Sequence, residues 1–266
     1  MTSEARAIPT RDHLVTITAL GAIAAAISTI AHEAIGHGSE CLAIGGEITR
    51  LTSVYFNCRG GDAFTPIAGP LGNFAAALLA WIGVATTPAG RIRLKLLFLY
   101  VLGFSLFWEA GYMLYAAVKG EGDYVFFLRG IGALGVFRWL LVLTGLALYA
   151  IAAALVGRRI LAFGPGGEAS TAARARRLLW PAWLGGVLAA LAAAAFYAPD
   201  RLEAMHQALL EIGAASFPFL LIPFRLRPVA KPSKPAPTVA RSLALVALAI
   251  VVVAALAATL GRGLSF

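Results

Sequence analysis

Seven stretches of almost continuous apolar sequence, at about 13–38, 66–86, 94–118, 134–157, 178–198, 203–223 and 241–260, constrain this chain more than any other feature. A hydrocarbon core of roughly 30 Å is crossed by a helix of about 20 such residues. Inside lipid, such a segment must satisfy its own backbone polar groups. Of 266 residues, 60% are hydrophobic and 13% charged, with a mean hydropathy of +0.82, whereas an ordinary soluble domain carries roughly 25% charged residues. The fold class that follows is an all-α polytopic membrane protein of about seven transmembrane helices. It forms a single membrane domain over residues 1–266, with membrane lipid as its first partner.

The sixth stretch is the least regular, because Glu203, His206, Glu211 and Pro218 interrupt it, and a helix lying on the membrane surface is its other reading. The first stretch exceeds a signal-peptide core of roughly 7–15 residues and is expected to stay in the mature protein.

A formal charge of +9 raises the question of nucleic acid. The basic residues are scattered over short loops, and no basic helix is interleaved with aromatics, so no nucleic-acid partner is expected. If all seven stretches cross, 15 Lys and Arg residues fall on the amino-terminal side and 7 on the other. The positive-inside bias then predicts a cytoplasmic amino terminus in a bacterial-type cell membrane. The connection at 158–177 and the Pro/Lys-rich linker "RPVAKPSKPAPTVA" at 227–240 would both be cytoplasmic, the latter semi-extended.

The first outer connection differs in kind. "GGEITRLTSVYFNCRGG" sets a β-branched and aromatic core between glycine pairs, which predicts a short β-hairpin between the first and second helices. An open strand edge is tolerated at membrane depth only where protein covers it or water reaches it, so the hairpin should lie in or above a cavity. Cys41 and Cys58, the only cysteines, sit at its two ends. A disulfide is permitted outside the cytosol, and closing a loop of roughly 17 residues would stabilise the fold by about 3 kcal/mol. The competing readings are Cys41 as a metal ligand, or two free thiols.

His32, Glu33 and His37 spell H-E-x-x-x-H near the end of the first stretch. In the shorter H-E-x-x-H, the two imidazoles lie about 40° apart on a helix and reach one zinc, while the glutamate handles water. One residue more opens the angle to about 140°. A π-bulge would absorb the extra residue, eased by Gly36. On an undistorted helix the alternative ligand face is Glu33, His37 and Cys41. Ionisable groups at membrane depth are costly and usually functional; the bland alternative is that these three satisfy one another. "AGPLGNF", from Ala68 to Phe74, opens the second stretch. Its Asn73 is placed to hold a substrate carbonyl or an oxyanion, and its glycines equally suit a close helix–helix contact.

H-E-x-x-(x)-H, a glycine-led hairpin and then A-G-P-x-x-N, in that order, resembles the site-2 protease family of membrane-embedded zinc metallopeptidases. The likeness covers about residues 25–125. It implies a metallopeptidase-like core over 13–125, three helices plus the hairpin, with 134–260 adding further transmembrane helices. It also implies Zn²⁺ held by His32 and His37, Glu33 as general base, and Asn73 as the second-helix residue that holds substrate or oxyanion. The family's third ligand is an aspartate, commonly within L-D-G, a motif this chain lacks. Asp123 in "KGEGDYVFF" is the first candidate and Glu109 in "SLFWEAGYMLY" the alternative.

The function expected is hydrolysis of a peptide bond in or next to the membrane, at a zinc site near the outer face. The alternatives are a membrane metalloenzyme acting on a lipid or small amphiphile, and a non-catalytic pseudoenzyme or transporter that uses the polar cluster for binding.

Overall fold

A computed structural model describes residues 11–163, 171–226 and 237–266. Most of the 227–240 linker and the middle of the 158–177 connection lie outside the described residues. Seven of the described helices are long and apolar enough to cross a membrane, consistent with a helical integral membrane protein. In chain order they are α1 (Leu14–Ala43), α2 (Thr65–Thr86), α3 (Ile92–Lys119), α5 (Leu134–Leu161), α6 (Thr171–Ala194), α7 (Arg201–Arg225) and α8 (Leu243–Gly261). The eighth helix, α4 (Asp123–Gly130), is a short one between α3 and α5.

The sixth apolar stretch is thus a full-length helix despite its acids, α7. Its segment Leu209–Ala214 is π-helical, with Glu211 inside it.

α1 is the axis of the bundle. It packs on α3, α6 and α8 along its length and on α2 at its far end. Its small residues Ala19, Ala22, Ala24 and Ala25 are buried in these contacts, as expected where helices approach closely in lipid. α3 supplies the bulk of the core through Leu96, Tyr100, Phe104 and Phe107, with Phe219 of α7 packed among them. α5 and α8 lie at the periphery, with Phe137, Trp139, Leu143, Leu243, Ile250 and Val251 exposed on them.

α6 is helical from Thr171, before the apolar run at 178, and carries Arg174 in that stretch. Rather than a loop cation, it is a buried helical residue 1% exposed. Its guanidinium donates to Asp12 at 3.2 and 3.4 Å and to the carbonyls of Phe163 and Pro237. Asp12 also accepts the Val239 N–H at 2.8 Å. This pair ties the start of α1, the start of α6 and the segment before α8 together.

The expected hairpin is present as β1 (Glu47–Leu51) and β2 (Phe56–Arg59), antiparallel, with an irregularity between Ile48 and Arg50. Cys41 and Cys58 form a disulfide, Cα to Cα 6.0 Å, which pins β2 to the end of α1. That overturns the readings of Cys41 as a thiolate ligand and of two free thiols, and with them the Glu33/His37/Cys41 face. The last residues add to the hairpin. Leu51 and Leu264 exchange N–H···O bonds of 2.8 and 2.9 Å, and the Phe266 N–H donates to the Ile48 carbonyl at 2.9 Å. The outer edge of β1 is therefore covered. β2 has no second partner strand among the described residues and borders the cavity described next.

Candidate metal centre

Residues Ala31–Gly38 of α1 form a π-helix. Its i→i+5 bonding places residues five apart one above the other, so His32 and His37 share a face that an α-helix would deny them. The distortion needs close support from α2. A side chain at Gly36 would put its Cβ 2.4 Å from the Ala68 carbonyl oxygen, and one at Gly72 would lie 2.1 Å from that of Ala31. Glycine at both positions lets the two backbones meet along the π segment.

On that face the Nε2 atoms of His32 and His37 lie 3.1 and 3.2 Å from Oδ2 of Asp123, at the start of α4. Such separations are close to the roughly 3.3 Å edge of a tetrahedron with zinc–ligand bonds of about 2.0–2.1 Å. The three candidate ligand atoms lie within 4.8 Å of one another, and together they form a cluster able to hold a metal ion. Gly69 is the floor of this cluster: a Cβ there would sit 2.2 Å from Nε2 of His37 and 2.7 Å from Nε2 of His32.

Each imidazole is fixed by its other nitrogen. His37 Nδ1–H donates to the Thr65 carbonyl at 2.9 Å, and its ring stacks on Phe56 of β2 at 4.9 Å. His32 Nδ1–H donates to Oε1 of Glu109 at 3.1 Å, and its ring stacks on Trp108 at 4.6 Å. A second acceptor of this kind sets the tautomer and leaves Nε2 as a ligand lone pair. Glu109 is fully buried and also accepts the Asn73 amide at 2.8 Å and the Tyr124 hydroxyl at 2.7 Å. The two candidates for third ligand thus serve opposite nitrogens of one ring: Asp123 faces Nε2, and Glu109 stands behind Nδ1. Asn73 is likewise behind the ring, fully buried, and absent from the cavity wall.

The electrostatics at Asp123 and Tyr124 suit these roles. Burial alone would push the Asp123 carboxyl up, but His37 and His32 hold it well below the usual carboxylate range. Burial, with the Glu109 carboxylate beside it, raises the Tyr124 phenol, which therefore stays protonated and donates.

Glu33 is 3% exposed, and its Oε2 has no hydrogen-bond partner among the described residues. It lines a cavity of about 510 Å³ together with His32, His37, Asp123 and β2 residues Phe56 to Arg59. An unpaired buried carboxylate oxygen costs free energy unless a ligand or water satisfies it, so the donor set, the Gly69 floor and this orphan oxygen all fit a bound divalent cation and its water.

The same cavity is lined by Tyr112 and by Glu211 of α7. The sequence offered a signal for Glu211, an acid inside an apolar segment, but with Glu203, His206 and Pro218 it served there only to mark the segment as the least regular of the seven. Nothing local in the sequence points to the Thr65 carbonyl or to Tyr124.

Compared with family models, with curated proteins and with solved structures, the chain matches none, so the reading of the site rests on its own residues.

Proposed function

We propose that the protein is a zinc-dependent, membrane-embedded hydrolase of the site-2 protease type, cleaving a peptide bond in or next to the membrane. The observation that carries the reading is the convergence of His32 Nε2, His37 Nε2 and Asp123 Oδ2 beside the unpaired Glu33 oxygen on one cavity wall. His32, His37 and Asp123 would hold Zn²⁺, with Glu109, Asn73 and Tyr124 orienting His32 from behind. When bound, the ion supplies Lewis acidity, lowering the pKa of water and polarising a carbonyl.

Glu33 accepts a proton on its free oxygen as water adds to the carbonyl carbon. It returns that proton to the departing amide nitrogen as the C–N bond breaks, so one water and one amide give an acid and an amine. The free edge of β2 on the cavity offers backbone partners to an extended substrate. In this reading Asn73 is a positioning residue rather than an oxyanion donor. The site lies at the end of α1 remote from the amino terminus, which the charge bias assigns to the outer face.

The test is Glu33→Gln in the full-length protein, assayed in detergent against quenched-fluorescence apolar peptides. Turnover should fall by about 10²–10⁴-fold with zinc content unchanged. Cleavage at the parent rate would overturn the mechanism.

A further inference from the structure

The metal-bearing cavity does not end at the ligands. Glu211 lines it, and the same side chain also lines a second cavity of about 180 Å³ between α3, α5 and α7. Tyr112, Tyr115 and Tyr149 contribute to that second wall, with Gln207 beside them. Tyr112 and Tyr115 stack at 6.2 Å, and Tyr112 also accepts the Asp123 N–H at 3.1 Å, so the two cavities share a partition that includes Tyr112 and Glu211. Oε2 of Glu211 is buried and has no hydrogen-bond partner among the described residues. Its π-helical setting is of a kind found mostly at functional sites, like that of the histidines across the cavity.

The other charged residues that line the metal-bearing cavity are accounted for. Arg59, a cavity cation, is paired with Glu47 at 2.7 Å. Asp62 accepts the N–H groups of Phe64 and Thr65 at 2.7 and 3.1 Å. His32, His37 and Asp123 are committed to the metal, and Glu33 to the proton. That leaves Glu211 as the lining acid whose Oε2 has no hydrogen-bond partner among the described residues, on the wall shared with a pocket lined by three tyrosines. Carboxylate oxygens accept charge-assisted hydrogen bonds, and aromatic rings attract cations.

We infer that Glu211, with Tyr112, Tyr115 and Tyr149, forms a side pocket for a positively charged ammonium or guanidinium group of the substrate. The enzyme thereby prefers a basic residue near the bond it cleaves. This deepens the hydrolase reading and rests on it. The pocket belongs to α7 and α5 as much as to the metal-bearing helices, which gives the later part of the chain a part in specificity.

The test uses zinc-loaded full-length protein carrying Glu33→Gln, so that peptide is not consumed. Two fluorescent peptides of alanine and leucine, identical except for a central lysine or norleucine, are titrated by anisotropy. The lysine peptide should bind about tenfold tighter or better, the lower range for a hydrogen bond to a charged group. Adding Glu211→Gln should bring it to the norleucine value, with norleucine affinity and zinc content unchanged. Equal affinities in the parent, or a preference that survives Glu211→Gln, would overturn the pocket alone. If neither peptide bound while zinc was held, the peptide-hydrolase reading would fall and the pocket with it. The parent comparison needs no new variant, so a misfolded Glu211→Gln chain would not shield the proposal.

Discussion

Two polar clusters are buried in this apolar bundle, one at each end of α1, roughly 30 Å apart at 1.5 Å per residue. At the amino-terminal end, Asp12 and Arg174 meet each other, two carbonyls and the Val239 N–H, and neither lines the two cavities described above. At the other end, Glu33, Asn73 and Glu211 each keep a buried atom without a partner among the described residues, and Glu33 and Glu211 line a cavity. Both clusters are costly to bury. The first is closed and ties helices together; the second is open and set out for a ligand. Burial of charge alone does not separate structure from function in such a bundle; what distinguishes the second cluster is that its unpartnered Glu33 and Glu211 oxygens border a cavity.

Substitutions that should split the two ends can break this contrast. The largest effect is expected at Gly69→Ala, whose methyl would occupy the space between the two Nε2 atoms. Zinc content by elemental analysis should drop from one per chain to background, with helical circular dichroism preserved. Full zinc content would show that the floor is not where the ion sits.

Asp12→Ala should do the reverse. It removes the carboxylate that Arg174 and the Val239 N–H share and should cost about 3–5 kcal/mol in denaturant unfolding, while zinc content stays unchanged. Loss of zinc in this variant would mean that the ends are not independent.

Glu109→Gln sharpens the contrast within the site. Weakening the acceptor behind His32 should lower zinc affinity by about 10–100-fold in chelator competition, without abolishing it. Complete loss would make Glu109 a ligand, and no change would make it a bystander.

The seven apolar runs, the hairpin and the Cys41–Cys58 pairing were all legible, because each is a local pattern of hydropathy, β-branching or spacing. The H-E-x-x-x-H spacing was legible as a choice between a π-bulge and the Glu33/His37/Cys41 face of a regular helix, and the π-helix at Ala31–Gly38 is the first of these. What local pattern does not carry is which of two acids reaches which nitrogen. Asp123 and Glu109 both lie far along the chain from His32, and only the packing of α3 against α1 and of α4 on α2 and α3 assigns them. Asn73 drew attention for the right neighbourhood, but its side chain faces the back of the ring rather than the cavity. Arg174 looked like loop charge, since its partner Asp12 lies 162 residues away in the chain. Glu211 was hidden for the same reason: its meaning depends on a cavity built by helices that precede it.

X-ray absorption at the zinc edge, on full-length protein loaded with one zinc per chain, bears hardest on the convergence of His32, His37 and Asp123. Two imidazole nitrogens and oxygen ligands at about 2.0–2.2 Å are expected. A sulfur shell near about 2.3 Å, or a spectrum without imidazole scattering, would contradict it.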